Sequence, residues 1–158
     1  MATDCFLKVD GIPGESKDAW HKDEIEVFAF RWGVQFSGPN GEGGDGLRQN
    51  VDNKFYSWVK WDKSAPKWLH HVSTGEHIRS AILTCRKAGG KQLDFMTWTM
   101  TDLIVDSIQA SSPGKLDDIL SISFNFVEIE TEYHEQKADG SLGPATKVKY
   151  NFKGKHGR

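Results

Sequence analysis

The stretch ILSISFNFVEIETEYHEQ, residues 119–136, constrains the fold more than any other. Leu120, Ile122, Phe124 and Phe126 alternate with Ser121, Ser123 and Asn125, so a strand would show the four apolar side chains on one face. From Val127 onward the apolar set moves by one position, to Val127, Ile129 and Tyr133. Strand side chains repeat every two residues, so this shift carries the buried face to the other side of the sheet. It demands a bulge, or a strand that passes from one sheet to another. Long strands that change face belong to small barrels and orthogonal sandwiches.

The rest of the chain supplies further strands. Residues 4–10, 24–37, 53–61, 78–87, 92–110 and 147–152 read as strands, with Gly- and Pro-rich turns between them. In 24–37, Ile25, Val27 and Ala29 share one face, and Phe28, Phe30, Trp32, Val34 and Phe36 the other. The second face is apolar throughout and is expected to be buried. The first becomes polar at Arg31, Gln35 and Ser37 and is expected to be wet toward its end. One helix is expected within 62–77, capped by Ser64, with Pro66 in its first turn and a stop at Gly75. Trp68, Leu69 and Val72 would form its apolar face. The result is a single, mostly-β barrel domain over residues 1–158, with no repeat and a basic, frayed C-terminus from Lys153.

A chain of 158 residues is long enough to bury a core without a disulfide or metal. Cys5 and Cys85, far apart in strand-like surroundings, read as reduced core thiols. With 20 Lys+Arg against 22 Asp+Glu, the chain lacks the basic excess of a nucleic-acid binder. The start, MATDCFLKVDG, lacks the pattern of a Sec signal peptide, and no apolar run approaches the ~18 residues of a membrane span. A soluble cytoplasmic product without membrane insertion is expected.

Motifs that would carry chemistry are scarce in the chain. SGPNGEGGDGLRQN, residues 37–50, is rich in glycine but lacks the spacing of a phosphate loop, since Gly46 is followed by Leu47 and Arg48. AGGKQ at 88–92 has neither the hydroxyl nor the helix that such a loop needs. Asn40, Glu42 and Asp45 do not alternate as an EF-hand loop requires. His21, His70, His71, His77, His134 and His156 match no metal-ligand spacing, and no nucleophile elbow is present. Glu128, Glu130 and Glu132 share a strand face and read as solvated. Neither an enzyme, a cofactor nor a metal is expected.

Six stretches in order point elsewhere: GESKD (14–18), the 24–38 strand with its WG and SG, DKS…STG…H (62–77), the AILTCRKAGG strand and turn (81–90), NF followed by QKADG (125–140), and VKY (148–150). Together they resemble the haemolysin-coregulated protein family, Hcp, of type VI secretion, over nearly the whole chain. The resemblance implies a compact β-barrel of two packed sheets with one short flanking helix and an extended loop. It implies homohexameric rings that stack into the inner tube of a contractile injector, enclosed by a sheath and tipped by a VgrG-type spike. Small effector proteins would ride in the lumen, chaperoned by the ring, and secretion would need no signal peptide.

It also implies that the strand bearing Arg31, Gln35 and Ser37 lines the lumen, with Arg31 departing from the small residue that relatives often carry there. The 37–50 loop would reach adjacent protomers and rings, with Asn40, Glu42, Gly43, Gly44, Asp45 and Arg48 as contact candidates. Glycine suits such a loop because it adopts backbone angles closed to other residues, and the ordering cost falls at assembly. Two other readings stand beside this one. A monomeric β-barrel module would bind a ligand in a concave apolar pocket. A toxin-bearing relative would carry an appended C-terminal domain, for which a chain ending at Arg158 leaves no room.

Overall fold

The computed structural model describes residues 3–37, 50–87, 92–112, 114 and 118–152. Its elements are β1 (Thr3–Val9), β2 (Ile25–Ser37), β3 (Asn50–Lys60), α1 (Ala65–Thr74), β4 (Ile78–Lys87), β5 (Asp94–Ser111), β6 (Ile119–Gln136) and β7 (Leu142–Asn151). The strands are ordered β3-β2-β1-β4-β5-β6-β7, all neighbours antiparallel, and β3 also pairs with β6. That last pairing closes six strands into a barrel and leaves β7 as an added strand, as the mainly β expectation required.

The shift of face in β6 is where the barrel ends. Up to Asn125 the strand pairs with β3; from Glu128 it pairs with β7. Phe126 and Ile129, three residues apart, are both buried. Facing them on β5, Met100 and Leu103 are also buried and three apart. Asp102 lies between those two with a positive φ of 56°. The two strands therefore change face together, in register, and their long hairpin continues past the barrel to carry β7.

Inside, Phe55, Phe124 and Trp68 form a stack, with ring centroids 4.8 Å apart for Phe55 and Phe124 and 6.4 Å for Trp68 and Phe124. All three are fully buried. Helix α1 delivers Trp68 to this stack and so plugs one side of the barrel. The helix stops at Gly75, whose φ of 72° is left-handed and whose N–H bonds the carbonyl of His71.

Several expectations are corrected. Ser64 holds the N-cap position as expected, but its side chain makes no capping bond: its backbone is helical and its hydroxyl donates to Asp62, whose Oδ1 also accepts from the Ser64 N–H at 2.8 Å. Leu69 is exposed, leaving Trp68 as the buried anchor of α1. Phe28 is not buried with Phe30, Trp32 and Val34. An irregularity in β2 between Val27 and Ala29 turns the strand, so Phe28 is 49% exposed while the later three pack on the core. Strand β7 begins at Leu142, five residues before its expected start, after a turn with Gly140 in the left-handed region. Pro144 is compatible with this because β7 is a terminal strand, where a missing N–H need not interrupt a ladder.

Cys5 and Cys85 are not free thiols: they are bonded to each other. Their Cα atoms are 4.3 Å apart, and they are directly opposed in the β1–β4 register. A separation of 80 residues hides an adjacency that only the strand order creates.

Candidate functional site

Among the described residues, no group of three or more His, Cys, Asp or Glu side chains is arranged to hold a metal. The distinctive features lie on the outer surfaces, in three places.

The first is the outward face of β2, β3, β6 and β5. Arg31 and Gln35 are both exposed there. Ser37 ends β2, and its side chain lies outside the described residues. Arg31 pairs in register with Tyr56, which pairs with Ser123, which pairs with Ser107. The row is polar across all four strands. The Arg31 guanidinium sits 4.6 Å from the Tyr56 ring centroid, and Lys54 is 2.9 Å from Asp106. Ser123 also donates to Asp106, and the Ser107 and Ser123 hydroxyls are 2.6 Å apart. Asp106 sits where β5 bulges between Val105 and Ser107. Burial pushes its carboxyl up, but the bonds from Ser123 and Lys54 outweigh this and hold it below its ordinary value. Asp106 and Ser123 join Lys54 and Tyr56 only through register.

The second feature is the β5–β6–β7 extension. One of its faces carries Glu128, Glu130 and Glu132 opposite Asn151, Lys149 and Lys147. The lysine ammonium groups lie 3.3–3.8 Å from these carboxylates. The three glutamates are thus the acidic half of a cross-strand ladder rather than a bare solvated row. The other face carries Tyr133, Val148 and Tyr150, which are 40%, 59% and 38% exposed. Strand β7 ends the sheet, so its outer edge pairs with no other strand among the described residues. His134 ties the start of β7 to β6, one ring nitrogen donating to the Gly143 carbonyl at 3.0 Å and the other 3.0 Å from Glu132. The Gly143 carbonyl and then Glu132 raise its pKa above the ordinary histidine value.

The third is the segment between β1 and β2. Asp18 accepts from the N–H groups of Trp20 and His21 at 2.9 and 3.2 Å and forms a two-pronged pair with buried Arg86 on β4. The hydrogen bond from Arg86, helped by the two backbone N–H groups, lowers the Asp18 carboxyl to about 2. The buried His21 ring stacks on Phe6 at 4.5 Å and lies between Glu24 and Asp94, each 3.1 Å away. Burial pushes the Glu24 carboxyl up. A Cβ on Gly14 would meet the Glu24 carbonyl oxygen at 2.5 Å, so only glycine permits this approach. The Trp20 side chain of this segment stands 79% exposed.

The loop residues Asn40, Glu42, Gly43, Gly44, Asp45 and Arg48 lie outside the described residues.

The family profile described as Type VI secretion system effector, Hcp, matches residues 6–133. Protein hcp1 of Pseudomonas aeruginosa PAO1 is 38% identical over 157 residues, covering 96% of this chain and 95% of its own. Among solved structures, Hcp1 from Salmonella typhimurium superposes with a TM-score of 0.80 at 33% identity, over 98% of this chain and 97% of that one. A type VI secretion system effector from Yersinia pestis gives 0.75 at 30% identity, over 94% and 99%. Barrel, added strand and helix all recur across matches that span the full domain. The chain therefore belongs to the Hcp family and is a component of the type VI secretion tube.

Proposed function

We propose that the protein is the ring-forming subunit of that tube. Six copies close a ring, rings stack, and the polar face bearing Arg31, Gln35 and Ser37 lines the channel. The sheath encloses the stack, a VgrG-type spike caps it, and small effector proteins travel in the lumen.

The observation that carries this reading is the β5–β6–β7 extension. A terminal strand with Tyr133, Val148 and Tyr150 exposed on one face suits pairing with a different surface of the next copy. Contacts between two unlike surfaces close into a ring when the rotation permits. The wet face fits a water-filled channel, with Arg31 stacked on Tyr56 as the cation nearest a passing cargo. The loop at 37–50 serves as the connector between rings. The alternative of an internal ligand is less favoured, because the barrel interior is filled by Phe55, Trp68, Met100, Phe124 and their neighbours.

Light scattering after size exclusion is expected to give a species near six protomers, and negative-stain images to give open rings. A monodisperse monomer over a wide concentration range would defeat the ring. Deleting Gly41 to Gly46 is expected to keep the barrel folded while weakening stacking; unfolding would defeat the role given to the loop.

A further inference from the structure

We infer that Cys5 and Cys85 form a redox-triggered staple, held as two thiols while the protein is made and joined once it meets a disulfide-rich environment. The timing, though not the chemistry, rests on the reading that the protein is expelled from the cell.

The placement carries the inference. Three register pairs of β1 and β4 point into the barrel: Val9 with Ala81, Leu7 with Leu83, and Cys5 with Cys85. The first two are ordinary core pairs. The third lies at the end where an open cavity of about 470 Å³ is lined by both cysteines, Phe30, Phe95, Met96 and Trp98. Cys85 is 3% exposed, whereas Cys5 is only half-buried. A small reagent entering the cavity therefore meets Cys5 first and finds Cys85 directly opposite.

The chemistry balances as two thiol–disulfide exchanges. The Cys5 thiolate attacks a low-molecular-weight disulfide such as oxidised glutathione, forming a mixed disulfide and releasing one small thiol. The Cys85 thiolate then attacks the Cys5 sulfur and expels the second small thiol. The protein loses two electrons and two protons, and the small disulfide gains both.

The consequence follows from how weakly β1 is held on one flank. It pairs with β2 at Cys5, Phe6 and Leu7 alone, against seven positions with β4. Terminal strands open first in local unfolding. With thiols, β1 can peel from its start at Thr3 and open the barrel. With the bond, the peeling end is fixed to β4 and a link spanning 80 residues constrains the unfolded chain. Thiols are kept reduced in most cytosols, and disulfides persist outside them.

The test uses the full-length purified protein. Excess oxidised glutathione is expected to take the maleimide-reactive thiols from two to none and to raise Tm by about 10 °C, reversed by dithiothreitol. The Cys5→Ser/Cys85→Ser double variant is expected to show no redox dependence of Tm. Thiols that stay reactive in excess disulfide, an unchanged Tm, or an equal shift in the double variant would each overturn the staple. For the timing, cells and culture fluid are quenched directly into maleimide, with two reactive thiols expected inside and none outside. Bonded protein inside the cell overturns the timing. Absence of the protein from the culture fluid counts against secretion, and the purified protein still decides the staple.

Discussion

Strand β6 contains two regions that differ in almost every respect except that they are one strand. Residues 119–125 lie between β5 and β3, with Leu120, Ile122 and Phe124 in the core. Residues 128–136 lie between β5 and β7, and after Ile129 no side chain is fully buried. The first region has covered both its edges and its apolar face. The second has covered its edges but leaves Tyr133, with Val148 and Tyr150 beside it, in water. One half of the strand makes the domain; the other half suits contact with another copy.

Substitutions should separate these halves on a stability scale. Phe124→Ala, in the stack with Phe55 and Trp68, is expected to cost about 3–5 kcal/mol in urea unfolding, because it leaves a cavity that the barrel cannot close. A cost below about 1 kcal/mol would mean that the stack is not the core's anchor.

Next comes the clamp between β1 and β2. Asp18 has its pKa depressed from 3.8 to about 2, chiefly by the hydrogen bond from Arg86, so its ionised form stabilises the fold. A depressed carboxyl contributes fully above its ordinary pKa, and the contribution is lost as pH falls through the folded value near 2. The stability gap between wild type and Asp18→Asn is therefore expected to be widest near neutrality and to narrow below about pH 4. A gap independent of pH would show that the ion pair is not its source.

A smaller effect is expected at His134, whose pKa is raised and which is therefore stabilising while protonated. That contribution is complete below the unfolded pKa and disappears as pH rises through the folded one. Amide exchange along Leu142–Thr146 is expected to quicken, beyond its intrinsic pH dependence, as pH rises past the ordinary histidine value of 6.5 in wild type, and not to do so in His134→Gln.

The smallest stability change of all is expected at Val148→Glu, about 0.5 kcal/mol or less. Yet this variant is expected to lose the hexameric species in light scattering while keeping its circular dichroism spectrum. Retention of the full ring would sever the extension from assembly.

How much of this was readable from residues alone depends on the range of the interaction. The alternation in 119–136 placed β6 at its observed bounds and located its change of face, because a period of two is a local property. Gly75 marked the helix end for the same reason. The outward placement of Arg31 and Gln35 also followed from parity. Phe28 escaped because a single irregularity at Val27–Ala29 resets parity without any mark in composition. The Cys5–Cys85 bond and the links of Asp106 to Lys54 and Ser123 escaped because each joins strands whose adjacency depends on sheet order.

The closing pairing of β3 with β6 has a kinetic consequence. Lys54 meets Asn125 and Lys60 meets Ile119, partners roughly 60 to 70 positions apart along the chain, whereas β4–β5, β5–β6 and β6–β7 are hairpins between neighbours. Contacts that close long loops form slowly, since their entropic cost precedes their reward. The hairpins should therefore form first, and the two long-range seams, β3–β6 and β1–β4, should zip last. Until they do, each nascent copy displays open strand edges able to seize a neighbour in the wrong register. In the proposed ring assembly, the rate at which those seams close sets the interval during which crowding leads to aggregates instead of rings.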